Sequence, residues 1–240
     1  MSQSLKKICG DKLGASDGEI GHVKDFYFDD QRWVVRYVVA DTGTWLSGKL
    51  VLISPRALGS LYQGGKVLFV NLTRQQIENC PSIDSHKPVS RQYEEEYYRY
   101  YGWPDYWQGD AIWGMSGFPI VQAGAIPSRA EPRSKNSAIP QLNDTHLQSA
   151  QAIIGYQIQS GAETIGQVMD FLMDSESWVI DGLIVSLGNR FTGKKVLLAP
   201  AQVQRISYED SKVLVDVSKA ALELAPGYDE ESKPAKPVIF

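Results

Sequence analysis

Few side chains in this sequence have the type and spacing that acid–base, nucleophilic or metal chemistry requires. The three histidines, His22, His86 and His146, are scattered, and the two cysteines, Cys9 and Cys80, match no metal-ligand or redox spacing. The sequence also lacks a Gly-x-Ser-x-Gly nucleophile elbow and a phosphate-binding loop. We therefore expect no catalytic residue, no metal and no cofactor, and thus no enzymatic activity.

Two aspartates recur later in the sequence at one fixed spacing. Asp25 recurs as Asp170, and Asp29 recurs as Asp174. Recurring acids can serve as general acids and bases or form a proton path. More often, an aspartate beside a turn accepts hydrogen bonds from backbone amides. We favour this structural interpretation for both pairs.

These residues recur because a whole segment is duplicated. Residues 8–84 align with 153–229 without gaps, and about a quarter of the aligned positions are identical. The run Gly-Glu-Ile-Gly-His-Val-Lys-Asp-Phe from Gly18 aligns with Glu-Thr-Ile-Gly-Gln-Val-Met-Asp-Phe from Glu163. The chain therefore contains two copies of one module.

The shared glycine and tryptophan of each copy suggest structural roles. Gly21 and Gly166 are predicted to adopt a positive φ or to lie against a neighbouring strand with no room for a Cβ atom. Trp33 and Trp178 are predicted to pack across strands. Arg36 and Asp181 occupy one shared position and are predicted to face solvent, where their opposite charges would favour different partners.

Each copy is predicted to be mostly β. Strands are expected over 24–29, 33–40, 49–53 and 67–72, and at the corresponding positions of the second copy. Thr73 and Ser218 are predicted N-caps of a short helix. Short strands separated by regular turn signals are typical of a small barrel or sandwich.

The repeated motif resembles the PRC-barrel domain. The resemblance lies in Gly-x-Ile-Gly-x-Val-x-Asp-Phe, followed by Trp-Val and then Gly-Lys, in both copies, except that Glu163 replaces the first Gly in the second copy. It implies two small, mostly β barrels in tandem that serve protein–protein contact and not catalysis. The family includes the cytoplasmic domain of the photosynthetic reaction-centre H subunit and the C-terminal domain of a ribosome-maturation factor.

Neither of these specific roles transfers directly. The H subunit has an N-terminal membrane-spanning helix, and the maturation factor has a different β-domain ahead of its barrel. The leading hypothesis is an interaction or assembly module. Two alternatives stay open: an accessory subunit with a quinone or pigment environment for electron or proton transfer, and a ribosome-maturation-like factor.

An aromatic segment separates the two copies. Nine aromatic residues lie between Tyr93 and Trp113, and Tyr93, Tyr97, Tyr100 and Tyr101 have the spacing of one helical face. The segment either completes the core of the first barrel, or offers an aromatic contact surface, or binds a flat apolar ligand. If it is a contact surface, it is expected to support a homodimer. The candidate interaction residues are Tyr97, Tyr98, Tyr101, Trp103, Tyr106, Trp107 and Trp113.

These features predict five regions. The first copy occupies 1–84, the aromatic helix and loop 85–123, a flexible linker 124–144, the second copy 145–229, and a tail 230–240. The linker and tail are rich in Pro, Ser and Ala without apolar periodicity.

Composition limits the class of partner. The net charge of −4 and the pI near 5.5 argue against nucleic acid, which requires a basic surface. No apolar run is long enough to span a membrane. We expect protein partners, and the two cysteines favour a cytoplasmic location. Residues 145–229 carry a net charge of −4, so a basic partner is expected to favour the second copy.

Overall fold

The computed structural model describes residues 1–58, 67–81, 89, 91–119, 147–188 and 193–229. The two copies share the order of their elements, except that the second has a further strand, β12, at a place that in the first copy lies mostly outside the described residues. The elements of the first copy are β1 Ser2–Ser4, α1 Leu5–Ile8, β2 Lys12–Ala15, β3 Gly18–Asp29, β4 Val34–Asp41, β5 Leu50–Ile53, β6 Val67–Phe69 and α2 Arg74–Glu78. The aromatic segment forms α3 Arg91–Tyr101. The elements of the second copy are β7 Leu147–Ser149, α4 Ala150–Ile153, β8 Gln157–Ser160, β9 Glu163–Asp174, β10 Ile180–Leu187, β11 Lys195–Leu198, β12 Val203–Ser207, β13 Lys212–Val215 and α5 Lys219–Leu224.

The predicted tandem of mostly β modules is confirmed, and it begins earlier than the sequence comparison indicated. β1 and α1 of the first copy correspond to β7 and α4 of the second, before the start of the aligned segment. The long strands β3 and β9 begin at Gly18 and Glu163, several residues ahead of the predicted start. The predicted linker 124–144 and tail 230–240 lie outside the described residues.

Two sheets hold these strands. One has the order β11-β10-β9-β8-β13-β12, with β1 also paired to β9. The other has the order β5-β4-β3-β2-β6, with β7 also paired to β3. The pairs β8–β13 and β2–β6 are parallel, whereas β8–β9, β9–β10 and β10–β11 are antiparallel. The repeated sequence therefore gives a repeated topology.

The chain forms two compact units that do not coincide with the two copies. Unit 1 comprises Met1–Cys9, Asp25–Val35 and the described residues from Gln148 onward. Unit 2 comprises Gly10–Lys24 and the described residues of Arg36–Leu147. Unit 1 therefore contains parts of both copies, because the first copy contributes its N-terminal strand and the turn between β3 and β4.

The shared glycines lie where strands approach closely. A Cβ atom on Gly21 would lie 2.0 Å from the carbonyl oxygen of Asp41, and one on Gly166 would lie 2.1 Å from that of Ser186. Gly21 also has a φ of +132°. Real Cβ atoms do not approach carbonyl oxygens so closely, so the predicted lack of room is present at both positions.

Hydrogen bonds from side chains define the ends of the short helices. Thr73 accepts a hydrogen bond from the amide of Gln76, whose side chain accepts one from the Thr73 amide, which completes a capping box. Ser218 caps α5 through the amide of Ala221, as the sequence predicts. At the other end of α5, Lys194 donates to the carbonyl oxygens of Glu223 and Ala225. This contact gives the repeated Gly-Lys of the second copy a structural role.

No helix in the described ranges combines the length and the apolar character that crossing a bilayer requires.

Candidate functional site

Helix α3 forms as its spacing predicts and packs on the sheet within unit 2. Tyr97 is fully buried, donates a hydrogen bond to the carbonyl oxygen of Leu52 at 3.1 Å and accepts one from the amide of Ser54 at 3.0 Å. Tyr100 donates to the carbonyl oxygen of Gln76 at 3.0 Å. Gly102, with a φ of +67°, ends the helix. The phenol of Tyr97 therefore satisfies backbone atoms at the end of β5, and that of Tyr100 satisfies one in α2, so the helix contacts both elements.

A buried carboxylate lies between the helix and the sheet. Glu94 is fully buried and accepts hydrogen bonds from the hydroxyls of Tyr37 at 3.1 Å and Tyr106 at 2.7 Å. Its other oxygen lies 3.0 Å from the guanidinium of Arg91. The spacing of the tyrosines in the sequence did not predict this burial of Glu94. Its hydrogen bonds and ion pair compensate for the loss of water.

Burial keeps the tyrosines around Glu94 neutral. It raises the pKa of Tyr37 and Tyr106 well above the ordinary value, and the negative charge of Glu94 raises both further. Burial also raises the pKa of Tyr98 to about 12, although its contact with Ser54 acts in the opposite direction. These hydroxyls are therefore stable hydrogen-bond donors at neutral pH.

Two buried arginines hold the loop that follows α3. Arg36 has no exposed surface, donates to the carbonyl oxygen of Ile112 at 2.7 Å, and places its guanidinium 3.9 Å from the ring centre of Tyr106. Arg56 donates to the carbonyl oxygen of Trp113 at 3.1 Å. The prediction that Arg36 faces solvent is wrong, because the loop covers it. Its counterpart Asp181 is half-buried and accepts a hydrogen bond from Ser2.

Glycines close the loop into a tight turn. A Cβ atom on Gly109 would lie 2.7 Å from the carbonyl oxygen of Gly114, and one on Gly114 would lie 2.9 Å from that of Asp105. Ala111 and Gly114 form an antiparallel bridge, and the Trp113 amide donates to the carbonyl oxygen of Ser116. The turn therefore has a defined backbone although it contains no regular strand or helix.

The structure divides the seven candidate interaction residues into two groups. Trp103 and Trp107 are half-buried. The other five are buried in unit 2, where they pack on one another and on the sheet, so they form core and not contact surface: Tyr97, Tyr98, Tyr101, Tyr106 and Trp113. Neighbouring ring centres in this segment lie 4.6–6.3 Å apart. The rings of this segment therefore pack mainly on one another.

The sequence reasoning missed the apolar residues that this turn exposes. Met115 is 98% exposed and Phe118 is 52% exposed. Both follow Gly114, and the amide of Phe118 donates to the side chain of Ser116 at 3.1 Å. The only sequence signal was two large apolar residues placed among glycines and serine after the aromatic run.

The recurring carboxylates form a second notable arrangement, inside unit 1. Asp25 accepts hydrogen bonds from the hydroxyl of Ser149 at 2.5 Å and from the amides of Gln151 at 3.0 Å and Phe26 at 2.7 Å. Burial raises its pKa, although these hydrogen bonds act in the opposite direction. Each carboxylate oxygen has a partner, as the structural interpretation of these residues requires.

Asp170 repeats this arrangement with the copies exchanged. It accepts hydrogen bonds from the hydroxyl of Ser4 and from the amides of Lys6 at 3.2 Å and Phe171 at 2.7 Å. Burial raises its pKa as well. Ser4 and Ser149 also cap α1 and α4. We call β1 with α1, and β7 with α4, the N-terminal arms of the two copies. Each aspartate therefore binds the arm of the other copy. The sequence comparison began at Ile8 and missed the identity of Ser4 with Ser149.

The repeated tryptophans also form contacts between the two copies within unit 1. Trp33 and Trp178 have φ angles of +54° and +64°, a conformation that large side chains rarely adopt. The amide of Val35 donates to the carbonyl oxygen of Trp178 at 2.9 Å, and the amide of Ile180 donates to that of Trp33 at 2.7 Å. These reciprocal hydrogen bonds join the two β-turns within unit 1. The tryptophans therefore shape a turn in addition to packing.

Among the described residues, His22 and the two cysteines form no comparable arrangement. His22 is exposed, Cys80 is buried, and both cysteines are free thiols. His86 and His146 lie outside the described residues. Within the described ranges, no group of His, Cys, Asp and Glu is suited to a metal ion.

Comparison with known proteins agrees with the repeated motif. The family model of the PRC-barrel domain matches residues 6–77 and 148–222, which together make up more than half of the chain. The two matched segments coincide with the two copies described above. Among curated proteins, none matches this chain.

Proposed function

We propose that this chain, which belongs to the PRC-barrel family, is a non-enzymatic module that assembles other proteins through the turn after α3. One observation carries the proposal: two buried arginines and a buried glutamate hold a turn whose apolar residues Met115 and Phe118 are exposed. The family is of the protein-interaction type. We call this turn, residues 105–118, the tip; Arg36 and Arg56 of the first copy hold it.

The energetics of the arginines support a role beyond stability. Burying charged groups costs several kcal/mol per ion, and apolar residues of similar volume often stabilise a protein equally well. Arg36 and Arg56 instead fix the conformation of the turn, because each guanidinium donates a hydrogen bond to one particular carbonyl oxygen of the turn. A surface that is rigid before binding loses less conformational entropy on association. The buried arginines therefore favour binding of a partner protein at this turn.

The recurring carboxylates support the non-enzymatic part of the proposal. Asp25 and Asp170 are buried, and hydrogen bonds from the arm of the other copy engage both. They hold the copies together within unit 1, so their recurrence has a structural cause.

The more specific roles of family members receive less support. A reaction-centre-like role needs room for a flat redox ligand, and the rings of the aromatic segment pack on one another. A ribosome-maturation-like role would require a basic protein partner, because the net charge of the chain is negative. A homodimer would have to use Met115, Phe118 and the half-buried Trp103 and Trp107. We propose a cytoplasmic location, which the two free thiols support.

Affinity capture from native lysate tests the proposal. The bait is the full chain, compared with a Met115→Ser, Phe118→Ser double variant and with Leu224→Ser, which changes a residue that is 86% exposed on α5. We expect proteins that the wild type and Leu224→Ser capture and the double variant does not. Equal capture by all three baits would overturn the proposal that the tip is the contact site.

A further inference from the structure

The tip lies in an acidic part of the chain. Residues 91–119 contain five acidic and two basic residues, a net charge of −3. Arg91 and Glu94 form an ion pair whose carboxylate is buried. The remaining charges are Glu95, Glu96, Asp105 and Asp110 against Arg99 alone, and all of these are exposed or half-buried. The excess negative charge is therefore at the surface.

The acidic residues lie around the same turn as the apolar ones. Asp110 is part of the turn that Gly109 and Gly114 close. Asp105 supplies the carbonyl oxygen that Gly114 approaches, and its side chain accepts a hydrogen bond from Gln108 at 2.6 Å. Partial burial raises the pKa of Asp105, and the negative charge of Glu95 acts in the same direction, whereas the hydrogen bond from Gln108 and the positive charges of Arg91 and Arg99 lower it. Asp105 and Glu95 are thus close enough to repel each other.

The apolar residues themselves suit a protein partner. Met115 is flexible and polarisable and adapts to different surfaces, whereas Phe118 offers a flat ring. The turn holds both in a fixed position through the hydrogen bonds of Ser116. A small apolar anchor inside a charged rim is the usual anatomy of a protein contact.

We propose that the tip binds a partner segment in which Lys or Arg residues flank an apolar side chain. The apolar side chain contacts Met115 and Phe118, and the cations approach Asp105, Asp110 and Glu95. This inference rests on the proposed function and adds the chemistry of the partner. It places the basic partner on the first copy, whereas total charge alone favoured the second. The same negative charge opposes an anionic membrane or nucleic acid.

Binding of defined peptides tests the inference. The probes are two labelled amphipathic peptides of equal length, one of Leu and Lys and one of Leu and Glu, titrated with the full chain by fluorescence anisotropy. We expect saturable binding of the Lys peptide alone, with affinity that falls as salt rises. Binding of both peptides, or of neither, would overturn the proposed charge preference.

Variants locate the binding. Met115→Ser with Phe118→Ser should lower the affinity for the Lys peptide about tenfold or more. Asp105→Asn with Asp110→Asn should lower it less and should weaken its salt dependence. Phe69→Ser and Leu224→Ser remove other exposed apolar residues and should change nothing. Equal losses in these controls would show non-specific adhesion and refute the site.

The two levels of proposal fail differently. If the tip variant loses captured proteins from lysate but the Lys peptide does not bind, the charge inference fails and the proposed function stands. If capture is also unchanged, both fail. Sedimentation of the wild type and the tip variant supplies a further outcome: self-association that only the wild type shows would make a second copy the occupant and overturn the inference.

Discussion

The two copies share one backbone plan but carry different residues where the first copy meets α3. Tyr37, Ser54 and Arg56 of the first copy correspond to Gly182, Ala199 and Ala201 of the second. The first set forms the hydrogen bonds that hold α3 and its loop. The second set consists of residues too small to reach a covering helix. Duplication thus preserved the sheet, and the residues on its surface diverged.

The second copy uses the corresponding surface in another way. A Cβ atom on Gly182 would lie 2.8 Å from the side chain of Leu197, so there is no room for a side chain at this position of the second copy. Leu172, Ile184 and Leu197 form a small apolar cluster against which Tyr228 packs. Tyr228, which follows α5, therefore covers part of this sheet through apolar packing. This difference supports the proposal that the first copy, and not the second, holds a recognition surface.

The largest expected effect is a loss of stability at Arg36, whose aligned position in the second copy is Asp181. Arg36→Ala removes a fully buried guanidinium and leaves the Ile112 carbonyl oxygen and the ring of Tyr106 without their partner. We expect a loss of about 3–5 kcal/mol in the free energy of unfolding of unit 2, from the loss of a charged hydrogen bond and of a desolvated cation–π contact. Urea unfolding of the full chain measures it.

The matched control is Asp181→Ala at the equivalent position of the second copy. Asp181 is half-buried and accepts a hydrogen bond only from Ser2 among the contacts described above. We expect a loss of about 1 kcal/mol or less. Equal losses for the two variants would mean that the copies do not differ here as the structure indicates.

The next largest expected effect is a loss of stability at Asp25 and Asp170, and it should be equal in the two copies. Asp25→Ala and Asp170→Ala each leave two backbone amides and a serine hydroxyl without an acceptor. We expect each to destabilise unit 1 by about 2–3 kcal/mol. Hydrogen exchange resolved by segment should show increased exchange in α4 for Asp25→Ala and in α1 for Asp170→Ala. Increased exchange confined to unit 2 would contradict the reciprocal arrangement.

A smaller symmetrical effect is expected at the shared glycines. Gly21→Ala and Gly166→Ala place a Cβ atom against a carbonyl oxygen of the neighbouring strand, so the strands must separate locally. We expect each to cost about 1 kcal/mol or more in a thermal melt. Gly117→Ala is the control, because a Cβ atom there meets nothing within 4 Å. If Gly117→Ala is as destabilising as the other two, steric crowding is not the cause.

The sequence predicted the repeated elements well because they depend on local signals. Alternating apolar residues, turn residues and the caps Thr73 and Ser218 lie within a few positions of the elements they define. The spacing of the tyrosines likewise predicted α3 at its observed place. The family resemblance rested on the same local motifs.

What the sequence could not predict depends on contacts between distant residues. Arg36 lies among apolar residues in sequence, and only the loop after α3, more than seventy positions away, determines whether it is covered. The exchange of arms depends on pairing β1 with β9, which no local pattern specifies. The sequence alone did not predict that Met115 and Phe118 are exposed, because their exposure depends on how the glycines fold the turn.

The smallest expected effect distinguishes the two aspartates that otherwise behave alike. Burial raises the pKa of both Asp25 and Asp170 above 3.8. A buried carboxyl whose pKa is raised on folding favours the protonated state, so its contribution to stability is greatest below the unfolded pKa and declines as pH rises through the folded pKa. The wild type should therefore gain stability relative to Asp25→Asn and to Asp170→Asn as pH falls from 7 towards 4.

The gain should be larger for Asp25. Lys6 lies beside Asp170, and its positive charge lowers the pKa of that carboxyl. The equivalent neighbour of Asp25 is Gln151, which is neutral and contributes only its backbone amide. Urea unfolding of the wild type and both Asn variants across this pH range measures the difference. Lys6→Gln should make the two profiles coincide, because it gives Asp170 the same neighbour that Asp25 has. If wild type instead loses stability relative to Asp25→Asn on acidification, the hydrogen bonds to the carboxylate outweigh its desolvation, and the direction inferred for its pKa is wrong.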